Sequence, residues 1–301
     1  MKRIVSVSIG SSSRDKKVIM NLSGEDYTIE RIGTDGDVKK AISIIRELDG
    51  KVDVFGMGGI SLYLYGKNNK KYVLKAALPL AEAAGKTPIV DGSGLKNTLE
   101  RNVVKYINDH CGIALKGKNV LLVCAMDRFG MAEAFCQMGC RMVYGDLMFA
   151  LGLPFPIRKL TNLHRVADII FPVVSRIPFE NLYPTGNKQH KIIKKFERYY
   201  NEADIIAGDF LYIKKHMPEN MKNKIIVTNT ITEDDLAMLK KRGIKALFTS
   251  TPEFDGRSFG TNVLEALLVS MSGKRTHELT SQMYQDLIIE FGITHRVEYF
   301  Q

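Results

Sequence analysis

Residues 90–100 read Val-Asp-Gly-Ser-Gly-Leu-Lys-Asn-Thr-Leu-Glu, and they put a carboxylate where it can meet a ligand. Asp91, Gly92 and Gly94 form a tight, permissive turn, and Leu95, Leu99, Val103 and Ile107 recur behind it at helical spacing. The Asp91 carboxylate is therefore held just ahead of a helix N-terminus, beside glycines that leave room for an approaching molecule. The plainer alternative is a cap for the helix at Leu95. A second constellation, Ala125-Met126-Asp127-Arg128-Phe129-Gly130, follows an apolar strand that begins about 25 residues downstream. A dinucleotide-binding turn uses Gly-x-Gly-x-x-Gly: one Gly for the turn, one for the approach of pyrophosphate and one for helix packing. Here Gly130 holds the third place, Ala125 the first and Asp127 the second. The Asp127 charge opposes a pyrophosphate unless Arg128 supplies the phosphate contact. The same strand, turn and helix also suit a Rossmann turn that holds no dinucleotide. Asp146 closes the next strand about 20 residues later. It is placed to accept hydrogen bonds from an adenosine ribose and to repel a 2′-phosphate, which favours NAD over NADP, or else to cap the following helix.

Such residues need a scaffold of alternating strands and helices. The first 90 residues offer strands at 3–10 and within 17–32, the latter folded at a turn over 23–26. They also offer a helix capped by residues 33–37, with Ala41, Ile44, Ile45 and Leu48 on its apolar face. A strand at 52–55, a helix over 72–84 and a strand at 87–90 then deliver Asp91. Beyond residue 117, apolar strands at 120–125, 142–145, 169–174, 204–207, 225–228 and 246–249 alternate with helices, notably 131–138 and 233–241. That pattern predicts a doubly wound parallel sheet, an α/β fold of Rossmann-like type. An apolar helix over 262–272 is left over once the sheet is complete. The expected division is an α/β substrate-type domain over 1–112, a Rossmann-like domain over 113–260, and C-terminal helices over 261–301 that pack back on the first. Pro154, Pro156, Pro172, Pro178 and Pro184 mark residues 150–190 as an irregular, inserted flap.

Composition bounds the function. A chain of 301 residues with 45% hydrophobic residues buries a large core and suits two domains. The net charge of +10 is spread along the chain, with small clusters at 67–71 and 188–198. There is no Trp and no RNA-binding aromatic pattern, so nucleic acid is not the expected partner and an anionic small molecule is favoured. The opening Met1-Lys2-Arg3 leads into a short apolar stretch broken by Ser6 and Ser8, a strand rather than a signal peptide. No apolar run approaches the roughly 18 residues a membrane helix needs. Cys111, Cys124, Cys136 and Cys140 fall within 30 residues, and Cys136 and Cys140 have no His beside them. Reduced structural thiols in a cytoplasmic protein are the expectation.

The order of these features resembles the shikimate/quinate dehydrogenase family, in which an Asn-Thr-Asp-Gly-x-Gly segment and a Leu-Glu helix precede a Rossmann domain. Ala203-Asp204-Ile205-Ile206-Ala207-Gly208, followed by Met217-Pro218, resembles its Asp-Ile-Ile-x-Asn-Ala-Thr…Met-Pro strand and loop beside the nicotinamide. Gly260-Thr261-Asn262-Val263-Leu264-Glu265-Ala266, ending at Ser272-Gly273, resembles its closing Gly-x-x-Met-Leu-x-x-Gln-Ala…Thr-Gly helix. The resemblance spans roughly residues 50–275. It implies that Asp91 belongs to a catalytic Lys–Asp pair and that Glu265 stands where the family has a substrate-binding Gln. Such a Glu accepts hydrogen bonds where the Gln also donates; a solvated helix position is the alternative.

Ser11 and Ser13, in the place of the family's Ser-x-Ser-Pro motif but without its Pro, are implied binders of a substrate carboxylate. The family's Asn-Val-Thr-x-Pro-x-Lys motif has no full counterpart. Of Lys67, Lys70, Lys71 and Lys75, the last opens a helix 16 residues before Asp91 and is the chosen catalytic lysine, a surface lysine being the alternative. The implied activity is NAD(P)-dependent oxidation of a secondary alcohol on a small hydroxylated cyclic carboxylic acid. The competing expectation is a non-redox, two-domain ligand-binding or regulatory protein. Neither membrane nor nucleic acid is expected as a partner, and a homodimer is compatible with the chain.

Overall fold

Alternation of apolar residues along the first ninety positions builds one mixed sheet with a core on each face. The structure, a computed structural model, describes every residue except 23, 68–69, 178–194, 255–256 and 301, and omits the side chains of 254 and 257. In chain order the first unit comprises β1 (Lys2–Ser8), β2 (Lys16–Leu22), β3 (Glu25–Gly33), α1 (Val38–Leu48) and β4 (Val54–Gly58). A small hairpin, β5 (Tyr63–Tyr65) and β6 (Lys71–Val73), follows, then α2 (Leu78–Ala81), β7 (Ile89–Val90) and the long α3 (Ser93–His110). The five-stranded sheet has the order β2-β3-β1-β4-β7, parallel except for β2. Because side chains alternate along a strand, Val5, Val7, Phe55 and Met57 face α1 and α2. Ile4, Ile29 and Val54 face the other way, onto Leu95 and Leu99 of α3 and the C-terminal helices.

The second unit continues with β8 (Asn119–Leu122), α4 (Phe129–Gln137), β9 (Arg141–Tyr144), α5 (Asp146–Phe149), α6 (Leu160–Val174) and α7 (Glu197–Glu202). Next come β10 (Ile205–Ala207), α8 (Phe210–His216), β11 (Ile225–Thr228), α9 (Glu233–Lys241) and β12 (Ala246–Thr249). A short hairpin, β13 (Glu253–Phe254) and β14 (Arg257–Ser258), precedes α10 (Thr261–Ser272), α11 (Ser281–Glu290) and β15 (Arg296–Tyr299). The sheet order is β15-β12-β11-β10-β8-β9, parallel throughout except for β15. Phe129, Phe135, Leu163 and Phe171 pack on one face, and Tyr200, Phe210, Ile213 and Leu239 on the other, so the sheet is doubly wound. Strand order reverses between β8 and β10, and the crevice outside their carboxyl ends is where such sheets hold ligands.

Helices α10 and α11 lie on the first sheet, with Val263, Leu264, Leu267 and Tyr284 in its core. The chain then crosses back to end as β15. Helix α3 belongs to both units: Leu95 and Leu99 serve the first core, Val103, Val104 and Ile107 the second.

Three local expectations are overturned. Residues 72–84 are not one helix: Lys71–Val73 pairs with Tyr63–Tyr65 as a hairpin, and only Leu78–Ala81 is α-helical. Residues 169–174 are the last turns of α6 rather than a strand. Their apolar run hid the helical spacing of Leu163, Ala167 and Phe171, which are the buried positions. The flap over 150–190 is accordingly irregular only to residue 159 before α6 begins; Pro178, Pro184 and residues 188–194 lie outside the described residues. No described helix is long and apolar enough to cross a membrane.

Candidate functional site

The carboxyl ends of β7 and β8 meet at a narrow cleft between the two sheets. Tyr63 and Tyr65 of the hairpin, Ser93 and Lys96 of α3, and Met126 and Asp127 of the β8–α4 turn line it. Its free volume is about 10 Å3, room for roughly one water. A 2.6 Å ion pair between Lys96 Nζ and Asp127 Oδ2 fastens one wall to the other.

Asp91 sits beside this cleft but its carboxylate is fully engaged as a clamp. Oδ2 accepts from the amides of Leu62 (2.5 Å) and Tyr63 (3.2 Å), while Oδ1 accepts from the Ser93 amide (3.1 Å) and hydroxyl (2.6 Å). It thereby ties the root of the hairpin to the start of α3. The glycines around it do not leave room for a ligand. Gly92 is left-handed (φ 89°), and a Cβ there would lie 2.7 Å from the Asn262 amide nitrogen, so the space belongs to α10. A Cβ on Gly94 would run into Glu265. Because both Asp91 oxygens face donors only, Asn is not a neutral replacement: its amide must set an NH2 against N–H groups. Asp91→Asn is expected to lower stability by about 2–3 kcal/mol in urea denaturation, since it leaves buried donors unpaired.

Glu265 is 4% exposed, so it is no solvated helix position. Its Oε1 accepts from the Tyr284 hydroxyl at 2.8 Å, while Oε2 has no hydrogen-bond partner among the described residues. Burial, reinforced by the nearby Asp91 charge, pushes its carboxyl up to about 8, so it is neutral at physiological pH.

Lys75 lies exposed in a 3-10 turn and makes no ion pair with Asp91 among the described residues. The lysine that reaches this corner is Lys71 on β6, whose Nζ stands 5.1 Å from the Tyr63 ring centre and 5.6 Å from that of Tyr65 and is near enough to Glu265 to favour its charge. Its signal was the alternating Tyr-Leu-Tyr and Lys-Tyr-Val flanking a Gly-Lys-Asn-Asn turn, a hairpin pattern. Ser11 and Ser13 are not brought to the cleft. Their hydroxyls bond each other at 2.8 Å in a loop held by Arg31 and Asp35.

The turn at 125–130 has the strand-turn-helix course of a nucleotide site with its binding groups turned inward. The Met126 amide donates to Asp146 Oδ1 (2.8 Å), and the Arg128 amide to Ala125 O (2.8 Å). In the first turn of α4, the Gly130 amide donates to Asn97 Oδ1 (3.2 Å) and the Met131 amide to Glu100 Oε2 (3.3 Å). Arg128 points into the protein, its side chain 4% exposed. Nη1 meets Glu100 Oε1 at 2.7 Å and Nη2 meets Asp209 Oδ2 at 3.0 Å. Gly130 serves helix packing: a Cβ there would lie 2.6 Å from Asn97 O on α3. Asp146 is not the N-cap of α5, which is Gly145; its Oδ1 is taken by the Met126 amide, and burial pushes its carboxyl up to about 6, with that amide opposing.

Lys96 and Asn97, four and three residues before Glu100 on α3, each share with it the face that meets α4, and none of the three stood out in the sequence. Asp209, directly after β10, occupies the other side of the strand-order reversal.

No curated protein matches the sequence. Among solved structures the chain is similar to a galactofuranose binding protein, at 12% identity over 97% of this chain and 99% of that one (TM-score 0.36). It is also similar to hetero-hexameric glutamate dehydrogenase from Thermus thermophilus, at 12% identity over 96% and 73% (TM-score 0.42). A third is aspartate transcarbamoylase from Trypanosoma cruzi, at 12% over 75% and 70% (TM-score 0.31). Residues 3–91 match the model of a domain of unknown function, DUF8753, and residues 94–300 that of another, DUF8754. The junction of the two falls at the start of α3, and the chain belongs to the DUF8754 family.

Proposed function

We propose that this protein is a non-redox, two-domain ligand-binding protein that takes a small polar molecule in the cleft between its sheets. One observation carries the reading: the amides and the arginine that would hold a pyrophosphate at the β8–α4 turn already bond Asp146, Asn97, Glu100 and Asp209. Three of those partners are carboxylates, and a phosphate would have to displace them from a site they already neutralise. The residues present do not fit a dinucleotide.

In the cleft, Lys96 is matched by Asp127, Tyr65 offers a hydroxyl that both donates and accepts, and the Ser93 hydroxyl, whose proton goes to Asp91, offers an acceptor. That set suits a neutral polyhydroxylated ligand better than an anion, and the rings of Tyr63 and Tyr65 supply flat apolar faces for it. Access requires the Lys96–Asp127 pair to part, so ligand binding and opening of the cleft are one event. Isothermal titration with NAD, NADP and a panel of neutral polyols and hydroxy acids tests this. Neither dinucleotide is expected to saturate the protein up to about 1 mM, a binding energy of about 4 kcal/mol. A polyol is expected to bind, and Lys96→Ala to weaken it. Saturable binding of NAD would overturn the reading.

A second reading is favoured by the gathering of Asp91, Glu265, Tyr65 and Lys71 beside the cleft. It is the NAD-dependent oxidation of a hydroxylated cyclic carboxylic acid that the quinate and shikimate resemblance implies, with Lys71 in the role assigned to Lys75. Turnover of quinate or shikimate with NAD, abolished by Lys71→Ala and indifferent to Lys75→Ala, would establish it.

A further inference from the structure

Helix α6 buries Leu163, Ala167 and Phe171, one residue per turn of one stripe. A second stripe at the same spacing, Arg165, Ile169 and Val173, faces solvent, and Ile169 and Val173 are 73% and 63% exposed. Two β-branched apolar residues on the outside of a helix do not belong to an ordinary solvated face. The irregular segment before α6 is pinned to the edge of the second sheet, where Tyr144 and Ile157 exchange backbone hydrogen bonds of 2.8 and 3.2 Å. Between that segment and α6 lies an open groove of about 480 Å3. Pro156, Ile157 and Val166 give it an apolar floor, and Arg158, Lys159 and Arg165 surround it.

These three cations meet no carboxylate among the described residues, whereas Arg3, Arg31, Arg101 and Arg128 are each in an ion pair. The groove thus combines three uncompensated positive charges with an apolar floor, and its volume falls within the range of small-molecule sites. From Arg165 the apolar stripe runs on through Ile169 to Val173, about 12 Å along the helix and comparable with an extended eight-carbon chain.

We infer that this groove, together with the α6 stripe that leads out of it, binds a small amphiphilic anion, with a phosphate-type head on Arg158, Lys159 and Arg165 in the groove and an apolar tail running from Val166 along Ile169 and Val173. Two guanidinium groups favour a head that takes paired hydrogen bonds. Three cations gathered around one depression, at one end of a single short apolar stripe, favour one bound molecule over the surface of a bilayer. The site is separate from the interdomain cleft and shares no lining residue with it.

Isothermal titration of the full chain with octyl phosphate, kept below its micellar concentration, tests the proposal. Inorganic phosphate and 1-octanol serve as head-only and tail-only probes. Phosphatidylcholine vesicles with and without phosphatidylglycerol serve as the bilayer probe. Octyl phosphate should bind at one per chain, at least about tenfold tighter than either half probe, a difference of about 1.4 kcal/mol. Arg158→Glu with Arg165→Glu should weaken it by about tenfold or more, because charge-assisted bonds are lost. Ile169→Ser with Val173→Ser should bring octyl phosphate down to the affinity of phosphate. Lys39→Glu with Lys116→Glu, the same change of charge at exposed positions elsewhere, should leave binding unchanged. Equal weakening by that control would overturn the proposal, as would equal binding of phosphate and octyl phosphate. Binding to anionic vesicles without saturable octyl phosphate binding would overturn it in favour of a membrane surface.

Discussion

Arg128→Met is expected to destabilise this protein by about 3–5 kcal/mol, the cost of removing one partner from a buried ion pair. The guanidinium lies between Glu100, whose side chain is 1% exposed, and Asp209, which retains some contact with water. Met fills similar volume, so a cavity contributes little. What remains is a Glu100 carboxylate in an apolar setting with only the Met131 amide as a donor. Burial already pushes the Glu100 carboxyl up against the pull of Arg128, and without that pull it takes a proton.

The cost should therefore fall on Glu100, and Arg128→Met combined with Glu100→Gln is expected to recover at least half of it. Urea denaturation of the three variants measures this. A loss below about 1 kcal/mol for Arg128→Met would show that the triad is solvated and open to exchange with an external anion. That outcome would also reopen the turn at 125–130 to a phosphate.

The same triad explains why the cofactor site was only half legible in sequence. The strand-turn-helix course around residues 120–137 follows from hydrophobic pattern, and so do five of the six strands of the second sheet. What the turn does depends on Asn97, Glu100 and Asp209. Asn97 lies 33 residues before Gly130, and Asp209 lies 81 residues after Arg128. No local pattern reports a partner at that distance. An Asp at the second fingerprint place and an Arg after it looked like a phosphate contact, but the two cations and three anions of Lys96, Glu100, Asp127, Arg128 and Asp209 pair among themselves.

The place of Lys71 is hidden in the sequence for a different reason. Residues 72–84 include enough Leu and Ala to read as one helix, and that reading put Lys75 on its first turn. The alternation of 63–65 and 71–73 was the stronger local signal, and it turns Lys71 toward Tyr63 and Tyr65. Asp91 was found correctly as a carboxylate at a helix start, but the glycines beside it answer to the backbone of α10, which joins the fold 170 residues later.

Glu265→Gln is expected to remove a fall in stability with pH that the native protein shows between pH 6.5 and 8. In the unfolded chain Glu265 titrates near 4.5; in the folded protein burial and the Asp91 charge raise that to about 8. Below the lower value both states carry the proton and pH has no effect through this group. Between the two values the folded state holds a proton that the unfolded state has released, so stability falls as pH rises. Across the full window the loss amounts to at most about 4–5 kcal/mol, at about 1.36 kcal/mol for each pH step of one between the two values. Asp146, raised to about 6, has completed most of its own effect by pH 6.5. His295, lowered from 6.5 by burial, acts in the opposite sense up to and through pH 6.5 as the unfolded chain releases its proton, and Tyr284 is raised further above 10. Glu265→Gln changes neither Asp146 nor His295, so the difference between the two proteins over pH 6.5 to 8 isolates Glu265.

Gln is neutral at every pH and still accepts from Tyr284, so the variant should lose the slope of roughly 1.4 kcal/mol per pH unit that one proton gives. Parallel stability curves for the two proteins across that interval would mean that Glu265 is ionised in the fold. In that case Lys71 would have to be its counter-charge, and the corner beside the cleft would hold a fixed ion pair rather than a neutral acid with a proton to donate.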